Sequence, residues 1–207
     1  MADLRVACSG TQVGAVFVPP FSLRLGELVC LHVPHPIPKG FQSDLLGVLI
    51  GKHSTKGLRL FGRVLTAAPA HDNRIGLFRL LRPLRATRWL RQQGGMSRSE
   101  AHMAQRRIGL DQDWPLTHLA GNPRTLLGLE AAWAGGAEAL VYWTTCCDPS
   151  GALAVHATVA SRLATCPAIH LSFLRFQNGR PVRDCLPGFT CLDLIDSSRP
   201  PLRAETA

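Results

Sequence analysis

The sequence predicts an α/β fold with a mostly parallel core sheet flanked by helices. Residues 139–143 form a short apolar run without polar alternation, which is typical of a strand buried on both faces of a parallel sheet, and residues 168–173 form a second short apolar run. Helical segments that begin at Asn122 and Asp148 precede these two runs. Helix and strand therefore alternate along the chain, as a parallel sheet requires.

Both helices carry local start signals. Asn122 is a favourable N-cap and Pro123 suits the first helical position, and Asp148 with Pro149 repeats this pattern. The glycine pair at 135–136 predicts the end of the first helix. Upstream, four short strands are predicted, at residues 4–8, 13–18, 21–25 and 27–33.

Between the two halves of the chain lies an arginine-rich segment. Six arginines fall within residues 74–91, interleaved with leucine and tryptophan. This pattern indicates either a surface that contacts phosphates of nucleic acid or lipid, or the solvated face of amphipathic helices. Ser97 and Glu100 form a capping box that predicts a further helix to about Arg107.

The composition limits the possible classes of protein. With 207 residues, 46% of them hydrophobic, one domain with a sizeable core is expected, and no apolar stretch is long enough to span a membrane. The net charge of +9 favours a polyanionic partner surface. Seven cysteines without a CxxC pair lack the spacing of a metal site, so we expect mostly buried thiols in a reducing compartment.

A family resemblance rests on the order of several segments. Leu119 to Pro123, then a helix, then a buried strand, then Cys147 to Gly151, resembles the signature loop, Walker B strand and D-loop of an ATP-binding-cassette (ABC) ATPase domain. Residues 34–40 fall where the phosphate-binding loop of that family should be. The resemblance covers roughly residues 3–180 and implies a P-loop NTPase-like, ABC-type fold.

The resemblance also implies the domain organisation and the site. It gives one domain over residues 1–196 with an N-terminal antiparallel β subdomain and a helical insertion at about 80–122; residues 197–207 are predicted to be a disordered tail. It assigns His35, Lys39 and Gly40 to nucleotide binding, Leu119, Gly121 and Asn122 to the signature loop, and Asp148 to the D-loop.

Other motif positions depart from the family pattern. Prolines replace the flexible residues before Lys39, and Gly40 and Phe41 replace the hydroxyl that holds the metal. The metal-binding aspartate and the catalytic glutamate correspond to Val141 and Tyr142. ATP and Mg²⁺ are the implied ligands, but the usual Mg²⁺ ligands are missing, and we assign no catalytic and no metal-binding residue.

These departures predict a degenerate ABC-transporter subunit with weak or no hydrolysis. Its implied partners are a membrane permease and/or a second ABC ATPase subunit, with which a dimer is expected. The implied location is cytoplasmic, peripheral to the inner face of the plasma membrane. The alternative is a basic module that uses the arginine-rich surface on nucleic acid or anionic lipid. An active ATPase with an unusual site is a third hypothesis.

Two further patterns invite a chemical interpretation. His32 and His35 could ligate a metal, but no third ligand lies nearby in the sequence, and the intervening prolines argue against a shared helical face. Cys146 and Cys147 lie beside a predicted helix start, where a thiol pKa falls. The candidate base for a thiol enzyme, His156, is two turns further along the chain. We therefore expect neither a metal site nor a thiol enzyme from these patterns.

Overall fold

The computed structural model describes residues 3–33, 40–74, 81–173, 176–177, 180–181 and 190–196. The strands within these residues are β1 (Leu4–Cys8), β2 (Thr11–Val13), β3 (Val16–Val18), β4 (Phe21–Arg24), β5 (Leu28–His32), β6 (Leu58–Leu60), β7 (Val64–Ala67), β8 (Ala139–Tyr142), β9 (Ala168–Ser172), β10 (Phe176–Gln177), β11 (Arg180–Pro181), β12 (Thr190–Asp193) and β13 (Ile195–Asp196). The α-helices are α1 (Phe41–Leu49), α2 (Ala86–Gly94), α3 (Arg98–Arg107), α4 (Gly121–Ala134) and α5 (Pro149–Ala160).

Five strands form a parallel sheet in the order β12-β5-β9-β8-β7. Every residue of β8 and β9 is buried, and for β8 this agrees with a sequence that shows no polar alternation. The predicted α/β fold with a mostly parallel core sheet is confirmed. Strand β12 was not predicted, because residues 190–193 contain two exposed and two half-buried residues, as expected at the edge of a sheet.

The N-terminal strands form two small antiparallel sheets, β4-β1-β6 and β13-β3-β2. Their apolar residues share one core with α1 and with one face of the parallel sheet, including Val6, Val16, Leu31 and Ile169. The single strand predicted at residues 13–18 is wrong. Gly14 has a φ of 56° and turns the chain, so β2 and β3 form a tight hairpin.

The start of α4 also differs from its prediction. The helix begins at Gly121, with Ala120 rather than Asn122 as its N-cap. The Asn122 side chain instead bonds across to Asp148, so it does not cap its own helix. In α5, by contrast, Asp148 is the N-cap and accepts a bond from the Gly151 amide, with Pro149 at the first position, as predicted.

Helices α2 and α3, called the helical region below, pack against α4. A second cluster joins α2, α3 and α4 through buried residues that include Trp89, Leu90, Leu116 and Leu127. The predicted capping box of α3 is confirmed, because Ser97 and Glu100 exchange side-chain and backbone hydrogen bonds. None of the helices within the described residues is long and apolar enough to cross a membrane. The predicted tail at 197–207 lies outside the described residues.

The other face of the parallel sheet carries a row of polar side chains. Cys191, Cys30, His170 and Tyr142 occupy paired positions on β12, β5, β9 and β8, so their side chains point to the same face. His156 of α5 covers this row, and its Nδ1 lies 2.8 Å from the Tyr142 hydroxyl. Its ring also makes an edge contact with that of His170, with 4.7 Å between the centroids.

Close packing of α4 on β7 depends on Gly128. A Cβ at this position would overlap the carbonyl oxygen of Ala68. At an exposed position in the interior of a helix, replacing glycine by alanine stabilises the helix by about 1 kcal/mol. Here we expect Gly128→Ala to lower the free energy of unfolding by about 1–3 kcal/mol, because α4 must move away from the sheet. Urea denaturation followed by circular dichroism measures this change, and a higher midpoint for the variant would contradict the packing argument.

Burial of His156 predicts a dependence of stability on pH. Loss of hydration lowers the pKa of His156 from 6.5 to about 4, so the folded protein keeps this ring neutral where the unfolded chain protonates it. This contribution to stability is complete above pH 6.5 and is lost as the pH falls toward 4. We expect the loss of this contribution to lower the free energy of unfolding by about 2 kcal/mol when the pH falls from about 7 to about 5.

Denaturation of wild-type protein and of His156→Gln at both pH values measures this contribution. The variant should show the smaller loss of stability on acidification. Burial also lowers the pKa of the neighbouring His170, so part of the dependence on pH remains in the variant. His102→Gln removes an exposed histidine and is the matched control. Equal losses of stability in wild-type protein and His156→Gln would disprove the assignment to His156.

Candidate functional site

The carboxyl ends of the parallel strands meet at one edge of the sheet, and the segments of the ABC resemblance follow them. β5 leads toward α1 through residues 34–39, so His35 and Lys39 lie outside the described residues. Gly40 is described: its φ of 81° is left-handed, and it immediately precedes α1. A glycine tolerates this turn where other residues are strained.

The first turn of α1 departs from a phosphate and metal site. Phe41 is 3% exposed and packs into the core, so this position offers no hydroxyl to a metal. Asp44 lies in the first helical turn and is exposed. Its negative charge opposes the binding of an anion at the helix N-terminus, where the backbone amides otherwise favour phosphate.

The signature-like loop and the D-loop-like turn are joined by hydrogen bonds. Nδ2 of Asn122 donates to Oδ2 of Asp148 over 2.6 Å, and the Asp148 amide donates to Oδ1 of Asn122 over 3.2 Å. Ser150 and the Gly151 amide donate to the other carboxylate oxygen. These bonds, that of Ser150 first, lower the pKa of Asp148 from 3.8 to about 2, so the carboxylate is charged at neutral pH.

Two glycines allow this contact. A Cβ at Gly121 would overlap the carbonyl of Cys146, and one at Gly151 would overlap the Asn122 amide. The structure therefore brings together Gly121, Asn122 and Asp148. Leu119 is 8% exposed and packs into the core shared by α2, α3 and α4, so it anchors the loop to that core.

The residues at the end of β8 are neutral and buried. Val141 and Tyr142 are each 0% exposed. Val141 packs into the core on the α1 side, and Tyr142 points to the opposite face, where its hydroxyl meets His156. Burial raises the pKa of Tyr142 well above its ordinary value, so its hydroxyl remains protonated.

Two acidic residues that precede β8 in the sequence, Glu130 and Glu138, are held elsewhere. Glu130 of α4 forms ion pairs with Arg107, at 2.5 Å, and with Arg162, at 3.4 Å. Glu138 precedes β8 at the amino end of the sheet, where it accepts a hydrogen bond from the Arg63 amide. Neither carboxylate follows the carboxyl end of β8.

The structure also brings together residues that sequence spacing did not group. The ligand atoms of Cys30, His32 and Cys191 all lie within 4.8 Å of one another. Because β5 and β12 pair directly, residues about 160 positions apart become neighbours. In the sequence, the Cys-x-His pair on β5 is a signal for a metal site. The third residue, Cys191, could be found only by recognising β12 as a strand beside β5. His156, considered as a base for a thiol, bonds instead to Tyr142.

The arginines of the helical region face outward. Arg82, Arg85, Arg88 and Arg91 are exposed, whereas Arg74 is held by Asp72 at 2.8 Å. Arg79 lies outside the described residues. The apolar side of the same segment, including Trp89 and Leu90, packs into the core. The exposed arginines thus form the solvated face of α2 and the segment before it, an arrangement that fits both sequence interpretations.

No protein-family model matches the chain, and no curated protein matches its sequence. Solved structures do match. One is a protein assigned to the metal-chelate type of ABC transporters, in an inward-facing conformation. The alignment covers 95% of this chain and 81% of that chain, with a TM-score of 0.71 and 12% sequence identity. CbiO1 from Clostridium perfringens is part of the CbiONQ transporter complex. The alignment covers 94% of this chain and 86% of the CbiO1 chain, with a TM-score of 0.60 and 11% sequence identity.

A nucleotide-free ATP-binding cassette of an ABC transporter gives a similar result. It covers 94% of this chain and 88% of its own length, with a TM-score of 0.67 and 10% identity. Identities this low carry the architecture but not the chemistry of a site. Together with the topology of the sheet, these matches show that the chain has the fold of an ABC transporter ATP-binding domain.

Proposed function

We propose that the chain is a degenerate ABC-type nucleotide-binding subunit that hydrolyses ATP weakly or not at all. The observation that supports this most directly is the end of β8, where the two strand positions expected to carry carboxylates hold Val141 and Tyr142. Both are fully buried. Residues 139–147 contain no acid, so a shift of register does not supply one.

The chemistry explains why this loss matters. Phosphoryl transfer needs a metal ion to neutralise charge on the phosphates and a group that orients the attacking water. A buried valine offers no ligand. The protonated Tyr142 hydroxyl is directed to His156 on the face away from α1. The carboxylates of Glu130 and Glu138 are engaged elsewhere, so they do not replace the missing groups.

Nucleotide binding is proposed to involve His35, Lys39 and Gly40, with Lys39 supplying the positive charge. The departures at Phe41 and Asp44 favour weak binding, because one removes the metal-binding hydroxyl and the other adds negative charge to the helix N-terminus. ATP is the proposed ligand, and Mg²⁺ would lack its usual protein ligands.

A structural role needs surfaces for partners. The partly exposed pair of Gly121 and Asn122, held by Asp148, is proposed to complete the nucleotide site of a second ABC ATPase subunit. The helical region is proposed to contact a membrane permease from the cytoplasmic side. Exposed apolar side chains there include Leu81 at 70% and Met103 at 54%, beside the exposed arginines.

Phosphate release from ATP and Mg²⁺ tests the loss of hydrolysis. We expect wild-type protein to show the same background rate as Lys39→Ala, because the metal and water-positioning groups are absent. Magnesium-dependent turnover that Lys39→Ala abolishes would instead identify an active ATPase with an unusual site. Calorimetric titration with ATP on the same samples reports binding separately, and heat that Lys39→Ala removes would support the assigned phosphate loop.

The exposed arginine surface supports a second candidate, a basic module that binds nucleic acid. If this is correct, the affinity for a short DNA duplex should fall steeply with salt. The double variant Arg88→Gln/Arg91→Gln should reduce the slope of log affinity against log salt by about 2, since each lost phosphate contact contributes about 0.9. Arg24→Gln, on β4 and outside this surface, is the control. An unchanged slope in the double variant would reject this use of α2.

A further inference from the structure

The carboxyl end of β5 and the neighbouring edge strand β12 present three metal-ligating side chains to one another. Cys30 and His32 are two residues apart, so they point to the same face of β5, and Cys191 lies directly opposite Cys30. The two sulfur atoms and an imidazole nitrogen lie within 4.8 Å of one another. Cys30 is buried, and the other two are half-buried.

We propose that Cys30, His32 and Cys191 bind a zinc ion. Thiolate sulfur and imidazole nitrogen are the preferred ligands of Zn²⁺, whereas Mg²⁺ and Ca²⁺ prefer oxygen. The site is therefore distinct in chemistry from any magnesium that accompanies a nucleotide. It also differs from the His32 and His35 pair considered from the sequence, because its ligands come from two paired strands.

The geometry of the strands suits a tetrahedral ion. Zn–S bonds of about 2.3 Å and Zn–N bonds of about 2.0 Å place ligand atoms roughly 3.5–3.8 Å apart. The present spread of up to 4.8 Å must therefore contract by about 1 Å, which side-chain rotation can provide without moving the paired backbone. Asp193 lies in register with His32 on β12 and is exposed, which leaves its carboxylate or water for the fourth position.

The charges balance on binding. Two thiolates and a neutral imidazole cancel the double positive charge of Zn²⁺, and binding releases the two thiol protons. In the absence of a cation, the hydrogen bond with Cys191 and then burial raise the pKa of Cys30, so its thiol is neutral. A bound cation reverses that preference, because it stabilises the thiolate directly.

A neighbouring histidine can support the bound thiolate. Nδ1 of His170 lies 3.5 Å from the Cys30 sulfur, and its Nε2 lies 3.4 Å from the Thr144 hydroxyl. When Thr144 donates to Nε2, Nδ1 carries the proton and donates to the Cys30 thiolate. Outer hydrogen bonds of this kind orient metal ligands and tune the metal. The buried polar row thus continues into the proposed site.

Cobalt substitution in the reduced, metal-stripped full chain tests the proposal. Co²⁺ is the spectroscopic probe, because tetrahedral thiolate coordination gives intense visible bands and a sulfur-to-cobalt charge-transfer band. We expect both to saturate at about one ion per chain and to disappear when Zn²⁺ is added. Cys191→Ala and His32→Gln should lose the saturable bands. Cys191 and His32 are only half-buried, so these variants should still fold, which circular dichroism checks.

Matched controls separate this site from adventitious binding. Cys146→Ala removes an exposed thiol and His102→Gln an exposed imidazole outside the site, and both should bind Co²⁺ like the wild type. Zn²⁺ should also raise the melting temperature of the wild type but not that of Cys191→Ala. Absence of saturable bands in the reduced wild type would overturn the proposal. So would bands that persist in folded Cys191→Ala and vanish in Cys146→Ala.

Discussion

The pairing of β12, β5, β9 and β8 imposes a constraint on which much of the structure depends. It places Cys191, Cys30, His170 and Tyr142 in one row inside the protein, and leaving a buried polar group without a hydrogen bond costs about 1–3 kcal/mol. Tyr142 meets this requirement by its contact with His156, and His170 by its contact with Cys30, whereas Nε2 of His156 has no hydrogen-bond partner among the described residues. Helix α5 is thereby tied to the sheet by polar bonds as well as by apolar packing.

Local signals in the sequence predicted most of the fold. Short apolar runs identified β8 and β9, and short-range start signals identified α3 and α5, because a cap or a proline acts within one helical turn. One error occurred where a local signal competed with a distant partner. Asn122 has the chemistry of an N-cap, yet its side chain bonds to Asp148, which is 26 residues away in the sequence. A prediction from local preference cannot anticipate that contact.

The same limit applies to the candidate sites. Counting back from Asp148 placed Val141 and Tyr142 at the end of a strand, and the structure has them there. The count succeeds because the segment between Tyr142 and Asp148 is short and contains no insertion. The cluster of Cys30, His32 and Cys191 could not be predicted this way. It depends on the parallel register of β5 and β12, and the intervening chain of about 160 residues carries no signal of that register.

The neutral side chains at the end of β8 also bear on the stability of this part of the fold. A buried aspartate and glutamate at the end of β8 would need a metal ion or other positive charge close by, because an unpaired buried charge is strongly destabilising. Val141 packs without any such requirement, and the Tyr142 hydroxyl remains protonated and bonded to a neutral His156. Val141 and Tyr142 therefore need no bound cation to balance a buried charge. On the proposed function, that independence suits a subunit that holds its partners, whereas an ATPase that turns over at this edge would need carboxylates for the metal and the water.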